Sequence, residues 1–173
     1  MTNVLDGVVA ASTSVERWWP DGPEEVVGVT TDAPADVAAL RDLTARAERA
    51  FRGVQERVFA DDPAVNAQLE VEAIEAAFVG PVPTLVLITP WTLNGLLVPP
   101  DGAGPTEVLV AGDLRRAFRG DVPPLGVYWA VNLVPDVSRL ASPRQARTLA
   151  NSFAGPFREG VRAWLASASP PQP

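Results

Sequence analysis

Acidic side chains are the groups in this sequence whose types and spacing could support chemistry. Glu70 and Glu72 stand two positions apart, Glu75 follows them, and Asp61 and Asp62 are adjacent. Carboxylates that share a strand face shift each other's pKa, and a catalytic carboxyl group needs such a neighbour or burial. Glutamates on a strand face are more commonly there because water solvates them. The spacing therefore predicts a charged surface first, with a general acid–base pair as the alternative.

The composition excludes most other catalytic groups. The sequence has no cysteine and no histidine, and its 14 basic residues are all arginine. This excludes a zinc site of the usual kind, a haem, an iron–sulfur cluster, a disulfide and hydrolases that use an imidazole base. Schiff-base chemistry and the phosphate-binding loop both need lysine, which is absent. The groups that remain are carboxylates, arginines, hydroxyls and a single tyrosine, which are a poor set for an enzyme, and we expect no cofactor and no metal.

The net charge of −7 at pH 7 indicates the class of partner. Nucleic acid needs a concentrated basic surface, so we expect none, whereas an acidic protein suits a partner with basic residues. Positions 1–11 lack the basic and apolar regions of a signal peptide, and no stretch approaches the ~20 apolar residues of a membrane helix. We expect a cytoplasmic protein without stable membrane insertion, and the sequence predicts no oligomeric state.

Two amphipathic helices are expected, one before and one after these acidic residues in the chain. Apolar residues spaced by three or four predict a helix over 36–59. Ser142 followed by Pro143 predicts the start of a second helix, and Gly155-Pro156 predicts a kink in it or two abutting helices.

A series of strands is expected between the helices. Segment 69–78 changes its apolar parity near Ala73, which predicts a bulge, and 113–118 fits either a helix or a strand. The fold class is therefore α+β, a mainly antiparallel sheet flanked by an N-terminal and a C-terminal helix. The other expected strands are 84–89, 93–98, 107–110 and 126–133. The expected organisation is an N-terminal arm at 1–35, a domain at 36–166 and a disordered tail at 167–173.

Two tryptophan motifs have more than one interpretation. Trp18 and Trp19 either anchor the arm onto the domain or bind a partner. In the string Leu-Ile-Thr-Pro-Trp at 87–91, Pro90 cannot donate to a strand ladder, so Trp91 is expected at an edge or corner of the sheet. There Trp91 either plugs the core or presents its ring and N–H to a partner.

Three strings occur together in an informative order. Leu-Ile-Thr-Pro-Trp at 87–91 follows Asn66 and the string Leu-Glu-Val-Glu-Ala at 69–73, and Leu-Gly-Val-Tyr stands at 125–128. All three strings resemble the HybE/HupJ family of [NiFe]-hydrogenase maturation chaperones, and Ala67, next to Asn66, stands where the family has proline. The resemblance spans about residues 46–157.

The resemblance implies a non-catalytic protein that binds the hydrogenase small subunit during its maturation, at a signal peptide or another basic segment. It implies that Glu70 and Glu72 recognise charge on the partner, and that the other partner-binding residues pack against it or form hydrogen bonds with it. The expected partner-binding residues are Glu70, Glu72, Thr89, Pro90, Trp91, Asn94, Trp18 and Trp19. A permanent accessory subunit of a hydrogenase complex and a small-ligand-binding or carboxylate-using enzyme domain stay open as alternatives.

Overall fold

A six-stranded antiparallel sheet lies between two helices in the computed structural model of this chain, which describes residues 34–168. Trp18, Trp19 and the rest of the predicted arm up to position 33 lie outside the described residues, as does the predicted tail from position 169. The elements are α1 (Pro34–Val58), β1 (Glu72–Val79), β2 (Val82–Ile88), β3 (Leu93–Leu97), β4 (Glu107–Val110), β5 (Asp113–Val122), β6 (Gly126–Val134) and α2 (Pro143–Ala168).

The strands follow the order β1-β2-β3-β6-β5-β4, and every neighbouring pair is antiparallel. The expected α+β class with an antiparallel sheet is therefore confirmed. The segment that sequence reasoning left open between helix and strand is strand β5. Its hairpin with β4 turns through Ala111 and Gly112, whose φ angles of 51° and 86° are the two positive values that a two-residue hairpin turn favours.

Alternation along the strands divides the core into two layers, one on each face of the sheet. On β2, Leu85 and Leu87 pack on the α1 side, whereas Val86 and Ile88 pack on the α2 side. This alternation is the period of two that a strand buried on both faces requires. The α1 layer includes Leu43, Ala47, Ala50, Phe51, Val71, Ala73, Leu96 and Leu125, and the α2 layer includes Leu93, Leu97, Val131, Ala150, Ala154, Phe157 and Val161.

Strand β1 contains the bulge that its change of parity predicts. The register with β2 shifts between Ile74 and Ala77, and Glu75 has a φ of 56°. The expected start of this strand at position 69 is wrong, because Glu72 pairs with the last residue of β2, Ile88. Residues 69–71 therefore extend past β2 and pair with no other strand in the described part of the chain, and Glu70 and Glu72 do not share a strand face.

Helix α2 begins at the predicted cap and continues through the proline. The Ser142 hydroxyl accepts a hydrogen bond from Gln145 N at 3.1 Å, as an N-cap does. The prediction of two abutting helices is wrong, because one helix of 26 residues includes Pro156. The buried residues Ala154 and Phe157 on either side of the proline pack against the sheet, and this packing outweighs the one missing backbone hydrogen bond. No helix within residues 34–168 is long and apolar enough to cross a membrane.

Tyr128 of β6 packs against α1. Its ring meets that of Phe51 edge-to-face, with centroids 5.5 Å apart. Burial raises the pKa of the Tyr128 hydroxyl above its ordinary value of 10.0. Tyr128 is the only tyrosine in a sequence that has no lysine and no cysteine, so little else titrates near this pH.

We expect the free energy of unfolding to decrease above about pH 10, because the unfolded chain ionises Tyr128 before the folded chain does. The contribution is complete below that pH and is lost as the pH rises through the raised pKa of the folded state. Urea unfolding at a series of pH values measures it, with Tyr128→Phe as the control that removes the ionising group. An equal pH dependence in both proteins would contradict the assignment to Tyr128.

Candidate partner-binding site

The turn between β2 and β3 is built by Thr89, which is fully buried. Its hydroxyl donates to Thr92 O and accepts from Thr92 N, both at 2.9 Å, and it lies 3.3 Å from Trp91 N. Pro90 is also buried, and its carbonyl accepts a hydrogen bond from Asn66 N at 2.8 Å. Both residues of the Thr-Pro pair are therefore engaged in holding the turn that carries Trp91.

Trp91 lies at the margin of the sheet, next to the C-terminal end of α1. Its ring stacks on that of Phe59 with centroids 4.4 Å apart and an angle of 20° between the planes. The indole packs against the α1 side of the core and is partly exposed. Trp91 thus lies at the corner that sequence reasoning expected, where one part of the ring packs and another part faces solvent.

Asn66 forms hydrogen bonds with three neighbouring loop segments beside this turn. Its side-chain Nδ2 donates to the carbonyls of Val137 and Leu140, both at 2.9 Å, while its backbone N–H binds Pro90 O. Its Oδ1 accepts the N–H of Gln68 at 2.9 Å, which forms an Asx-turn into the segment that leads to β1. The family resemblance singled out this residue, and the structure gives it a positioning role.

Glu70 and Glu72 contribute to a cleft of about 210 Å³ at the β1 edge of the sheet, which we call the edge cleft. Arg147 Nε donates to both Glu72 carboxylate oxygens at 2.9 Å, whereas Glu70 is exposed and makes no ion pair with the described residues. The lining residues are Glu48, Arg52, Leu69, Glu70, Val71, Glu72, Ile88, Pro143 and Arg147. Three carboxylates and two guanidinium groups give the edge cleft an acidic balance over an apolar floor.

Two side chains of α1 reach the backbone at this edge. Glu48 Oε2 accepts the N–H of Ala73 at 2.9 Å, and Arg52 Nη2 lies 3.5 Å from Val71 O. Glu48 and Arg52 also form an ion pair of 3.5 Å with each other. Sequence reasoning missed the position of Glu48 and Arg52 in the edge cleft.

Asn94 lies outside the edge cleft, near the centre of the sheet. It pairs across the strands with Asn132 of β6. The Oδ1 of Asn132 is buried and has no hydrogen-bond partner within the part of the chain that the structure describes. The predicted site residues therefore form two groups: Glu70 and Glu72 line the edge cleft, whereas Trp91 and Asn94 lie by the β2–β3 turn.

A further surface, which sequence reasoning missed, lies on the β4–β5 hairpin. Leu109 and Leu114 are cross-strand partners with exposed fractions of 50% and 66%, and Phe118 on the same face is 57% exposed. The guanidinium of Arg116 lies 5.7 Å from the centre of the Phe118 ring. We call Leu109, Leu114 and Phe118 the apolar hairpin face. Large apolar side chains that are exposed on one face of a hairpin are typical of a protein-binding surface.

No arrangement of three or more carboxylates suited to a metal ion occurs within residues 34–168. The described surfaces offer ion pairing, backbone hydrogen bonding and apolar contact.

Comparison with known proteins assigns the domain to a family. The model of the family described as [NiFe]-hydrogenase assembly, chaperone, HybE matches residues 42–160. No curated protein and no solved structure matches the chain. The matched range includes the edge cleft, the β2–β3 turn and the apolar hairpin face, and it covers more than half of the 173 residues. The chain belongs to the HybE family of [NiFe]-hydrogenase assembly chaperones.

Proposed function

We propose that this protein binds the immature small subunit of a [NiFe]-hydrogenase and holds it, without turnover, until assembly. The family match over residues 42–160 carries the proposal, because it connects the domain with hydrogenase assembly. The identity of the bound subunit, the absence of catalysis and action in the cytoplasm are parts of this proposal.

Two described surfaces support binding of a partially folded polypeptide. The apolar hairpin face offers three large exposed side chains to apolar segments that an immature subunit has not yet buried. The edge cleft offers carboxylates to a basic segment, and Glu70 has no partner among the described ion pairs. The overall charge of −7 favours the encounter with a basic segment.

The predicted residues around the β2–β3 turn take two roles in this proposal. Trp91 and Asn94 contact the bound subunit by packing and hydrogen bonding. Thr89 and Pro90 act indirectly, because they are buried and hold Trp91 in place. Trp18 and Trp19 are proposed as a further anchor for the subunit and lie outside the described residues.

The apolar hairpin face provides the test. We expect the double variant Leu114→Ser and Phe118→Ser to bind the purified small subunit at least about tenfold more weakly, since burying one large apolar side chain is worth about 1.5–3 kcal/mol. Titration of the full chain with the small subunit, isolated from the same host without its maturation partners, measures the affinity. Because both side chains are exposed, the stability of the variant should change by less than about 0.5 kcal/mol per site.

Val37→Ser is the matched control, because Val37 is 41% exposed in the first turn of α1 and belongs to neither the edge cleft nor the apolar hairpin face. It should bind as the wild type does. If the wild type shows no affinity for the small subunit, the proposed function is wrong. Equal binding by the double variant and the control would exclude the apolar hairpin face from the interface.

A further inference from the structure

The outer edge of β1, with which no strand within residues 34–168 pairs, has hydrogen-bonding groups that point away from the sheet. In an antiparallel ladder the N–H and C=O groups of alternate residues point to the same side. Ala73 N–H bonds to Glu48 rather than to β2, so this side of Ala73 faces outward. Val71, two positions earlier, directs its carbonyl toward the same side, where Arg52 lies 3.5 Å away. An outward C=O and an outward N–H therefore flank Glu72.

Glu48 and Arg52 occupy the positions that the backbone of another strand would take. A strand added antiparallel to β1 would donate one N–H to Val71 O and accept one N–H from Ala73. In the structure a guanidinium N–H faces the first group and a carboxylate oxygen accepts from the second. Because the two side chains also pair with each other at 3.5 Å, they remain partnered when they move off the edge.

The shape and charge of the edge cleft favour an extended basic segment as the occupant. Its volume of about 210 Å³ is below the roughly 300–1,000 Å³ of small-molecule sites and suits a few side chains of a peptide. Leu69 and Val71, both nearly fully buried, give it an apolar floor. Glu70 is exposed at its rim and would face a basic side chain of the added segment, while Arg147 already engages Glu72.

We infer that the β1 edge at residues 71–73 receives an extended basic segment of the small subunit as an added strand, and that Glu48 and Arg52 are the displaceable plug of this site. The inference rests on the proposed function and specifies how the partner is bound. The plug also keeps the edge from pairing with other chains while no partner is present, which is a hazard of open sheet edges.

Glu48→Ala is the decisive variant. We expect it to bind the small subunit about two- to tenfold more tightly than the wild type, because the segment no longer competes with a side-chain hydrogen bond for Ala73. Glu56→Ala is the matched control. It removes the same charge from an exposed position on the same helix, outside the edge cleft, and should leave the affinity unchanged or weaken it slightly.

Amide exchange at Ala73 gives a second readout in the full-length Glu48→Ala protein. We expect this amide to exchange rapidly in the free variant and at least about tenfold more slowly with the small subunit bound, since a backbone carbonyl then accepts its hydrogen. Ala73→Pro removes the outward N–H without removing a bond to β2, so binding should weaken about tenfold. The exchange measurement does not use the proline variant, so it tests the inference even if that variant does not fold.

The outcomes separate this inference from the proposed function. Weaker binding by Glu48→Ala would show that Glu48 contacts the partner directly. It would disprove the claim that Glu48 must be displaced from the β1 edge before the partner binds. An unprotected Ala73 amide in a complex that forms normally would overturn strand addition and leave the chaperone function intact. If the small subunit binds neither the wild type nor any variant, the proposed function fails, and the inference fails with it.

Discussion

Replacing Gly160 with alanine is expected to lower the free energy of unfolding by about 2 kcal/mol, although alanine favours a helix by about 1 kcal/mol over glycine. A Cβ atom at this position would collide with the carbonyl oxygen of Leu109 and lie 2.6 Å from Val108 Cγ1. The carbonyl belongs to the backbone of β4, so the overlap can be relieved only by moving α2 away from the strand. We expect the overlap, worth up to about 3 kcal/mol, to outweigh the gain in helix propensity.

Gly155→Ala is the control for this experiment. Gly155 lies in the same helix, and a Cβ atom there would have no neighbour within 4 Å apart from the adjacent residues. This variant should stay within about 1 kcal/mol of the wild type, because Pro156 disfavours a helical conformation for a preceding residue that carries a Cβ atom and so opposes the gain in helix propensity. Urea unfolding of both variants measures the difference. A Gly160→Ala protein as stable as Gly155→Ala would disprove the close approach of α2 to β4.

The two glycines show where sequence reasoning succeeded and failed in α2. Apolar spacing and the Ser142 cap predicted the helix and its start, because both depend on residues near each other in the chain. Gly155-Pro156 drew attention as a local helix breaker, yet the helix continues through it. Gly160, where the backbone of β4 requires a glycine, carries no local signal, since that contact joins residues about 50 positions apart.

Strand β5 shows the same limit within the sheet. Alternation predicted most strands, but the segment that begins β5 is rich in arginine and fits two patterns. Its pairing with β4 across Ala111 and Gly112 decides the structure. In retrospect, Leu114 and Phe118 stand at even spacing on one face of a strand, which is the signal that could have revealed the apolar hairpin face.

The edge cleft could be anticipated only in part. The family resemblance indicated Glu70 and Glu72, because they belong to one short string. Arg147 is 75 positions from its partner Glu72, and Glu48 reaches Ala73 from a different helix. Both bonds depend on how the two helices lie over the sheet, which periodicity does not specify. The acidic balance of the site was predictable from the sequence, whereas the arginines that offset it were not.

Asn66→Ala is expected to lower the free energy of unfolding by about 2–4 kcal/mol. The substitution removes the donors to Val137 O and Leu140 O, in part-buried bonds, and the acceptor for Gln68 N, in an exposed one. A part-buried partner left unpaired costs about 1–3 kcal/mol, whereas an exposed one costs less because water replaces the bond. The three side-chain bonds hold the loop after β6 and the turn before β1, whereas the backbone bond from Asn66 N to Pro90 O remains in the variant. The loss should therefore exceed that of an ordinary surface hydrogen bond.

Asn66→Asp separates the donor from the acceptor of this side chain. Aspartate can still accept the N–H of Gln68, but it turns a carboxylate oxygen toward the two carbonyls that Nδ2 now serves. We expect Asn66→Asp to be at least as unstable as Asn66→Ala at neutral pH, because an anion then faces two acceptors. Asn151→Ala is the matched control: Asn151 is exposed on α2, and its loss should change stability by less than about 0.5 kcal/mol. Thermal and urea unfolding give the comparison. A stable Asn66→Asp protein would show that the Asx-turn into β1, rather than the clamp on residues 137–140, is what Asn66 contributes.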